Sequence, residues 1–222
     1  MLTIGNRVPD FRAETNCGEI QFHDWIGNNW CVLFSHPKDF TPVCTTELGE
    51  AARLADDFGA RGAKLIGLSV DAADRHDAWS RDIEKVSGQS PSFPMIADTD
   101  LKVSKMFGML PADAQGHSDE RTAMDNATVR TVFMIAPDKT IKMAMAYPMS
   151  TGRSFKELLR VLDSLILTAE RKVATPANWE PGDDVFILPS IADAEAEQMF
   201  GKWSAPLPYM RIVPHPEVDR AA

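Results

Sequence analysis

The chain has 222 residues, 44% of them hydrophobic, and a formal net charge of −9, enough for one large domain or for a domain with an appendage. The acidic balance excludes phosphate-backbone binding, which needs clustered Lys and Arg, and no run of about 18 apolar residues is present to span a membrane. Three cysteines are too sparse for a disulfide scaffold and the first 22 residues lack an apolar signal-type core, so the expectation is a soluble protein of a reducing compartment, the cytoplasm.

In chain order, residues 3–12 read as an extended entry segment punctuated by Gly5 and Pro9, and Cys17-Gly18-Glu19 as a turn with Cys17 exposed. Ile20 to Ile26 carries His23 and runs into the turn signal Gly27-Asn28-Asn29. Trp30 to Phe34 is short and apolar and predicts a buried strand. Leu48, Ala51, Ala52, Leu54, Ala55 and Phe58 then recur at helical spacing until Gly59. Between that strand and that helix lies Ser35-His36-Pro37-Lys38-Asp39-Phe40-Thr41-Pro42-Val43-Cys44. Thr41 suits the helix N-cap and Pro42 the first helical position. Cys44 then falls in the first turn, where unpaired N–H groups and the helix dipole favour an anion such as a thiolate.

Lys64–Val70 predicts a second buried strand, and Ala73–Val86 a helix with Trp79, Ile83 and Val86 as its apolar stripe. A short strand over Phe93–Ile96 and a brief helix from Asp100 to Phe107 lead into the polar stretch Pro111–Ala127, read as a long functional loop. Val129–Ala136 and Thr140–Tyr147 form a hairpin around Pro137-Asp138-Lys139. Its second strand, with Ile141, Met143, Met145 and Tyr147 on one face, is placed at the sheet edge. The clearest amphipathic helix starts at Ser154, and beyond Val173 prolines punctuate short elements. The pattern is an α/β thioredoxin-like fold, a central mixed sheet flanked by helices over 1–168, followed by a small α+β C-terminal segment over 169–222.

A lone free cysteine reads most simply as a small buried apolar residue. Cys44 has more around it: a strand-to-helix junction, and the spacing Pro37-x-x-x-Thr41-x-x-Cys44, which chance produces at a rate of roughly 1%. Pro42-Val43-Cys44-Thr45-Thr46-Glu47-Leu48 resembles the peroxiredoxins, and in particular their one-cysteine class. The resemblance continues through Leu65–Asp71, Phe93–Asp98, Val129–Phe133, Thr151–Arg153 and Val173–Pro176, nearly the whole chain in one order.

The resemblance implies a thiol-specific peroxidase in which Cys44 attacks hydrogen peroxide or an organic hydroperoxide and becomes a sulfenic acid. Thr41 would hydrogen-bond the peroxide, and Pro37 would shape the loop and shield the intermediate. Arg130, expensive in an apolar strand unless paired, would stabilise the thiolate and orient the peroxide. Arg153 would be a second arginine of the site, Glu47 would hold the arginines, and His36 would lie near the sulfur. No metal or cofactor is implied. No cysteine follows Cys44, and Cys31 reads as core, so an external thiol, another small reductant or a reductant protein must recycle the sulfenic acid.

Relatives of this kind pair their sheet edges into a homodimer, each C-terminal segment reaching towards the neighbour's active site; assembly beyond the dimer is left open. Some also carry a Gly-x-Ser-x-Gly lipase motif, but here Asn29 stands at the serine position, with His23 and Asp138 at the partner positions. Two rival readings are a cysteine hydrolase, which Thr41 and Arg130 argue against, and a redox-regulated holdase or peroxide-sensing relay, which begins with the same sulfenate.

Overall fold

The computed structural model describes residues 2–109 and 130–217; the predicted loop over 111–127 lies outside them. The chain divides into two compact units, one ending at Phe155 and one starting at Lys156. The sequence reading sets its boundary at 168.

The first unit begins with β1 (Arg12–Ala13), β2 (Ile20–Gln21) and α1 (Phe22–Ile26). It continues with β3 (Trp30–Ser35), α2 (Pro42–Arg53), α3 (Ala55–Gly59), β4 (Ala63–Ser69) and α4 (Ala73–Ser87). It ends with β5 (Met95–Ala97), α5 (Lys102–Met106), β6 (Arg130–Ile135) and β7 (Ile141–Tyr147). The sheet runs β5-β4-β3-β6-β7, parallel across β5, β4 and β3 and antiparallel from β3 to β7. β3 is central and every one of its residues is buried, which is why it reads as an unbroken apolar run instead of an alternation. One face of the sheet packs Cys31, Leu33, Ile66, Leu68, Phe133 and Ile135 against Val8, Phe11, Phe22 and Phe107. Each such side chain contributes about 1.5–3 kcal/mol on burial.

Three details depart from the sequence reading. The helix read through to Phe58 breaks at Leu54 into α2 and α3. Val86 is 65% exposed; the buried stripe of α4 is His76, Trp79 and Ile83. In β7 a register shift at the Met134/Ile135 pair inserts an extra residue, so Ile141 faces with Ile135 while Met143 and Met145 face with Met134 and Val132. The four apolar residues therefore do not share one face, because a bulge resets the two-residue alternation.

β7 is the edge strand, but its start is covered: the Gly5 N–H donates to the Ile141 carbonyl, the Ile141 N–H to the Asn6 carbonyl, and Arg7 bridges Thr140.

The second unit takes in all but the first residue of α6 (Phe155–Glu170), then β8 (Val173–Ala174), β9 (Val185–Ile187), α7 (Asp193–Phe200), β10 (Ser204–Leu207) and β11 (Met210–Val213). Its antiparallel sheet runs β10-β11-β9-β8. Leu167, Val173, Trp179, Val185, Ile187, Ala196 and Val213 form its core. The Trp179 indole N–H donates to the Asp183 carbonyl at 3.1 Å, and Arg211 donates to Asp193 and to the Leu188 and Ile191 carbonyls. Those bonds satisfy polar groups that a proline-broken segment would otherwise bury unpaired.

Gly49 sets how closely α2 and α4 approach, since a Cβ there would lie 2.6 Å from the Ser87 Cβ. Gly49→Ala should destabilise the protein by about 1–3 kcal/mol through overpacking. Adding Ser87→Gly should recover part of that loss, and denaturant unfolding of the single and double variants checks both values.

Candidate active site

Two elements deliver Cys44. β3 ends at Ser35, and a buried turn through His36 and Pro37 leads by way of Phe40 and Thr41 into α2. Phe40 has φ +57°, a left-handed conformation unfavourable for a bulky residue. It is held by Trp79, with ring centroids 6.3 Å apart, and by the Arg75 guanidinium 5.5 Å above its ring.

Thr41 sits at the N-cap with extended φ and ψ, and Pro42 opens the helix, as predicted. The Thr41 hydroxyl does not cap the helix, however; it donates to the Lys38 carbonyl at 3.0 Å. Its proton is committed to the loop, which leaves its lone pairs as acceptors. Cys44, in the first helical turn, is fully buried.

Glu47 stands one turn further along α2, on the same face as Cys44. Arg130, the first residue of β6, spreads its guanidinium over this face. Nη2 lies 3.5 Å from the Cys44 Sγ, Nη1 donates to Glu47 Oε2 at 2.5 Å, and Nε donates to the Met149 carbonyl at 2.9 Å. Arg153 clasps Glu47 from the other side through its backbone N–H, Nε and Nη2, each at 2.8 Å, while Nη1 donates to the Thr131 carbonyl at 3.0 Å. The Arg153 guanidinium also lies 5.6 Å above the Phe34 ring.

Arg130, Arg153 and Glu47 are each less than a tenth exposed. Two buried guanidiniums against one carboxylate leave a surplus positive charge beside Sγ, which favours an anion there. Burial alone would push the Glu47 carboxyl up, but hydrogen bonds from Arg153 and the charges of Arg153 and Arg130 outweigh it and hold Glu47 below the usual range.

His36 is buried, packs against Trp79 with ring centroids 5.1 Å apart and planes tilted by 45°, and directs Nε2 at Asp39 Oδ1, 2.7 Å away. Trp79 in turn donates its indole N–H to the Thr45 hydroxyl, which donates to the Thr41 carbonyl. Asp39 and His76 escaped the sequence reading. Asp39 sits in a polar-looking loop, and His76 could have been found only by its place on the α4 stripe beside Trp79 and Ile83.

Cys31 is buried in the sheet core, where desolvation pushes its thiol far up, and Cys17 is exposed. His23, Asn29 and Asp138 bond to the Val8 carbonyl, the Ile26 carbonyl and the Thr140 N–H, and the Asn29 amide cannot serve as a lipase nucleophile.

Glu47→Gln removes the counter-charge of two buried arginines and should cost roughly 3–5 kcal/mol of stability. Because the Glu47 pKa is depressed on folding, its contribution is full above the ordinary glutamate range and is lost as pH falls through the lowered folded value. Unfolding measured from neutral to acid pH should show that loss in the wild type and a flatter profile in the variant.

The AhpC/TSA family pattern matches residues 4–144, and that of the C-terminal domain of 1-Cys peroxiredoxin matches residues 164–202. Peroxiredoxin-6 of Gallus gallus is 46% identical over 97% of this chain and 99% of its own, and that of Homo sapiens is 46% identical over 97% and 98%. Among solved structures, the peroxiredoxin 6 of Arenicola marina superposes with a TM-score of 0.89 at 43% identity, covering 98% of this chain and all of its own. The yeast mitochondrial 1-Cys peroxiredoxin superposes with a TM-score of 0.91, also at 43% identity, covering 96% and 100%. With its matches running nearly end to end and a buried cysteine facing an arginine pair, the chain belongs to the one-cysteine peroxiredoxins, a family of thiol peroxidases.

Proposed function

We propose that Cys44 is the peroxidatic nucleophile, and the observation that carries this is the Arg130 Nη2 donor 3.5 Å from a fully buried Sγ. The thiolate attacks the terminal oxygen of a hydroperoxide ROOH; the S–O bond forms as the O–O bond breaks, and RO⁻ leaves and takes up a proton. Arg130 stabilises the thiolate and the charge developing on the peroxide oxygens. Thr41, whose proton is held by Lys38, accepts the hydrogen bond of the peroxide O–H and so orients it. Pro37, buried and without an N–H, shapes the turn and shields the sulfenic acid. Arg153 and Glu47 hold Arg130 in place, and His36 contacts the sulfenic acid.

A thiol RSH then converts Cys44–SOH to a mixed disulfide and water, and a second thiol releases Cys44. The yeast mitochondrial relative, described as resolving its thiol through glutathione and thioredoxin systems, supports a low-molecular-weight thiol or a dithiol protein as reductant. Hydrogen peroxide and small organic hydroperoxides are the proposed substrates. The stretch of β7 beyond Ile141, without a strand partner on its outer side among the described residues, supports a homodimer joined edge to edge. The free state of all three cysteines supports a reducing compartment, the cytoplasm.

Cys44→Ser should abolish hydroperoxide consumption, while Cys17→Ser and Cys31→Ser retain it; stopped-flow single turnovers test this, and a Cys44→Ser variant still turning over at the wild-type rate would refute the assignment. Arg130→Ala and Thr41→Val should each slow sulfenate formation by roughly 10²–10³. Sedimentation at micromolar concentration should show a dimer that Met145→Pro weakens, whereas a monomer of 24.5 kDa with full activity would rule the edge pairing out.

A further inference from the structure

Beside the peroxidatic turn lies a buried cluster of His36, Asp39 and His76, whose ligating atoms all fall within 4.8 Å of one another. Asp39 receives His36 Nε2 on Oδ1 at 2.7 Å and His76 Nδ1 on Oδ2 at 2.6 Å. The second nitrogen of His76, Nε2, faces the Ile96 carbonyl at 3.3 Å. Both His76 nitrogens thus face oxygen acceptors, and only an imidazolium can donate to both. His36 differs: its Nδ1 is buried with no hydrogen-bond partner among the described residues. A protonated Nδ1 there would be an unsatisfied buried cation, so the favourable form is the neutral ring with its proton on Nε2 and a bare lone pair on Nδ1.

We propose that His76 is a positioning residue for peroxide reduction: as a buried imidazolium it fixes Asp39, and Asp39 fixes His36 as the Nε2–H tautomer with Nδ1 left as an acceptor. This rests on the reading of His36 as the group that meets the Cys44 sulfenic acid, whose S–O–H would donate to that lone pair. A buried acceptor left without a partner among the described residues, on the turn that leads to Cys44, is a functional signal, because packing alone would not leave it unsatisfied.

The same clamp holds the turn that carries Thr41. Asp39 is 2% exposed, Ser69 Oγ lies 3.4 Å from its Oδ1, and its backbone N–H donates to Asp71 at 2.8 Å. The charged and titratable groups facing the cluster are Asp39 on the turn, His36 at the end of β3, Asp71 after β4, and Arg75 of α4 itself, which pairs with Asp71 at 3.2 Å. Burial opposes charge on His76, but the hydrogen bond and charge of Asp39, the Ile96 carbonyl and Asp71 outweigh it, and its titration is raised. Burial likewise opposes the Asp39 carboxylate, yet the two imidazoles hold it well below the usual range. A group raised in the fold stabilises it below its unfolded value and loses that effect as pH rises through the folded one. The clamp therefore weakens on the alkaline side.

A metal ion held by the same three atoms is a competing use of the cluster. Two facts oppose it. Metal-bound histidines donate their second N–H to a partner, and His36 Nδ1 has none among the described residues. The nitrogen–oxygen separations, 2.6 and 2.7 Å, are those of hydrogen bonds between the ligands themselves.

The test is ¹⁵N NMR of the reduced, full-length protein together with stopped-flow sulfenate formation. Wild type at pH 7 should show His76 protonated on both nitrogens and His36 on Nε2 alone. His76→Gln should mix the His36 tautomers, slow sulfenate formation by roughly 10–100-fold, and remove the alkaline limb of the rate profile. A neutral His76 in the wild type would overturn the proposal, as would a His76→Gln variant with an unchanged His36 tautomer and rate. If that variant fails to fold, the wild-type tautomers still decide, and Asp39→Asn supplies the rate comparison. Stoichiometric zinc binding to the reduced wild type, abolished by His76→Gln, would replace the clamp with a metal site. Hydroperoxide consumption by the wild type checks the thiol peroxidase reading separately, since the tautomers are read without turnover.

Discussion

Glu47 is shared by Arg130 and Arg153, and the arrangement of the site follows from that sharing. A single guanidinium paired to a single buried carboxylate would be neutral and would do little for a nearby thiol. Adding Arg153 changes the balance, since the carboxylate can neutralise only one of the two cations. The uncompensated charge falls on the side where Arg130 Nη2 meets Sγ. Burial strengthens the effect by lowering the local dielectric, and it is also why removing Glu47 is so costly.

That array requires three distant parts of the chain to meet, and the sheet order accomplishes this. β6 pairs antiparallel with β3, so the N-terminal residue of β6, Arg130, comes up against the C-terminal end of β3, where the turn leading to Cys44 leaves the sheet. The Thr131 N–H donating to Ser35 Oγ at 3.1 Å marks the join. Helix α2 then turns back across that end, placing Cys44 and Glu47 on the face that Arg130 spans. The turn, left-handed at Phe40 and tied through the Asp39 N–H to Asp71, leads directly into Thr41 and the helix that carries Cys44.

The second unit is organised differently. Its strands are two to four residues long, and its stability relies on Trp179, Val185 and Val213 packing against Leu167 and on Arg211 tying down loop carbonyls. Short strands interrupted by prolines cannot bury much apolar area individually, so a few large side chains and the carbonyl bonds of Arg160, Arg171 and Arg211 carry the unit.

Much of the first unit was legible in the sequence because its signals are local. Unbroken apolar runs marked β3 and β4, the Thr41-Pro42 pair marked the start of α2, and the spacing from Pro37 to Cys44 singled out the cysteine that the fold sets beside Arg130. Arg130 and Glu47 could be named because a family resemblance supplied their positions, not because spacing linked residues 83 apart. What the tertiary structure decided were features with no local signature. The bulge in β7 put Ile141 on the face opposite Met143, since register depends on the partner strand. The Thr41 hydroxyl turned to Lys38 instead of capping α2, a choice made by the fold of the turn. His76 and Asp39, 37 residues apart, became a buried pair because α4 packs beside the turn between β3 and α2. Composition and periodicity settle what each segment prefers; which charges share a buried space is settled only when the segments pack, because electrostatic pairing acts through distance in the fold and not along the chain.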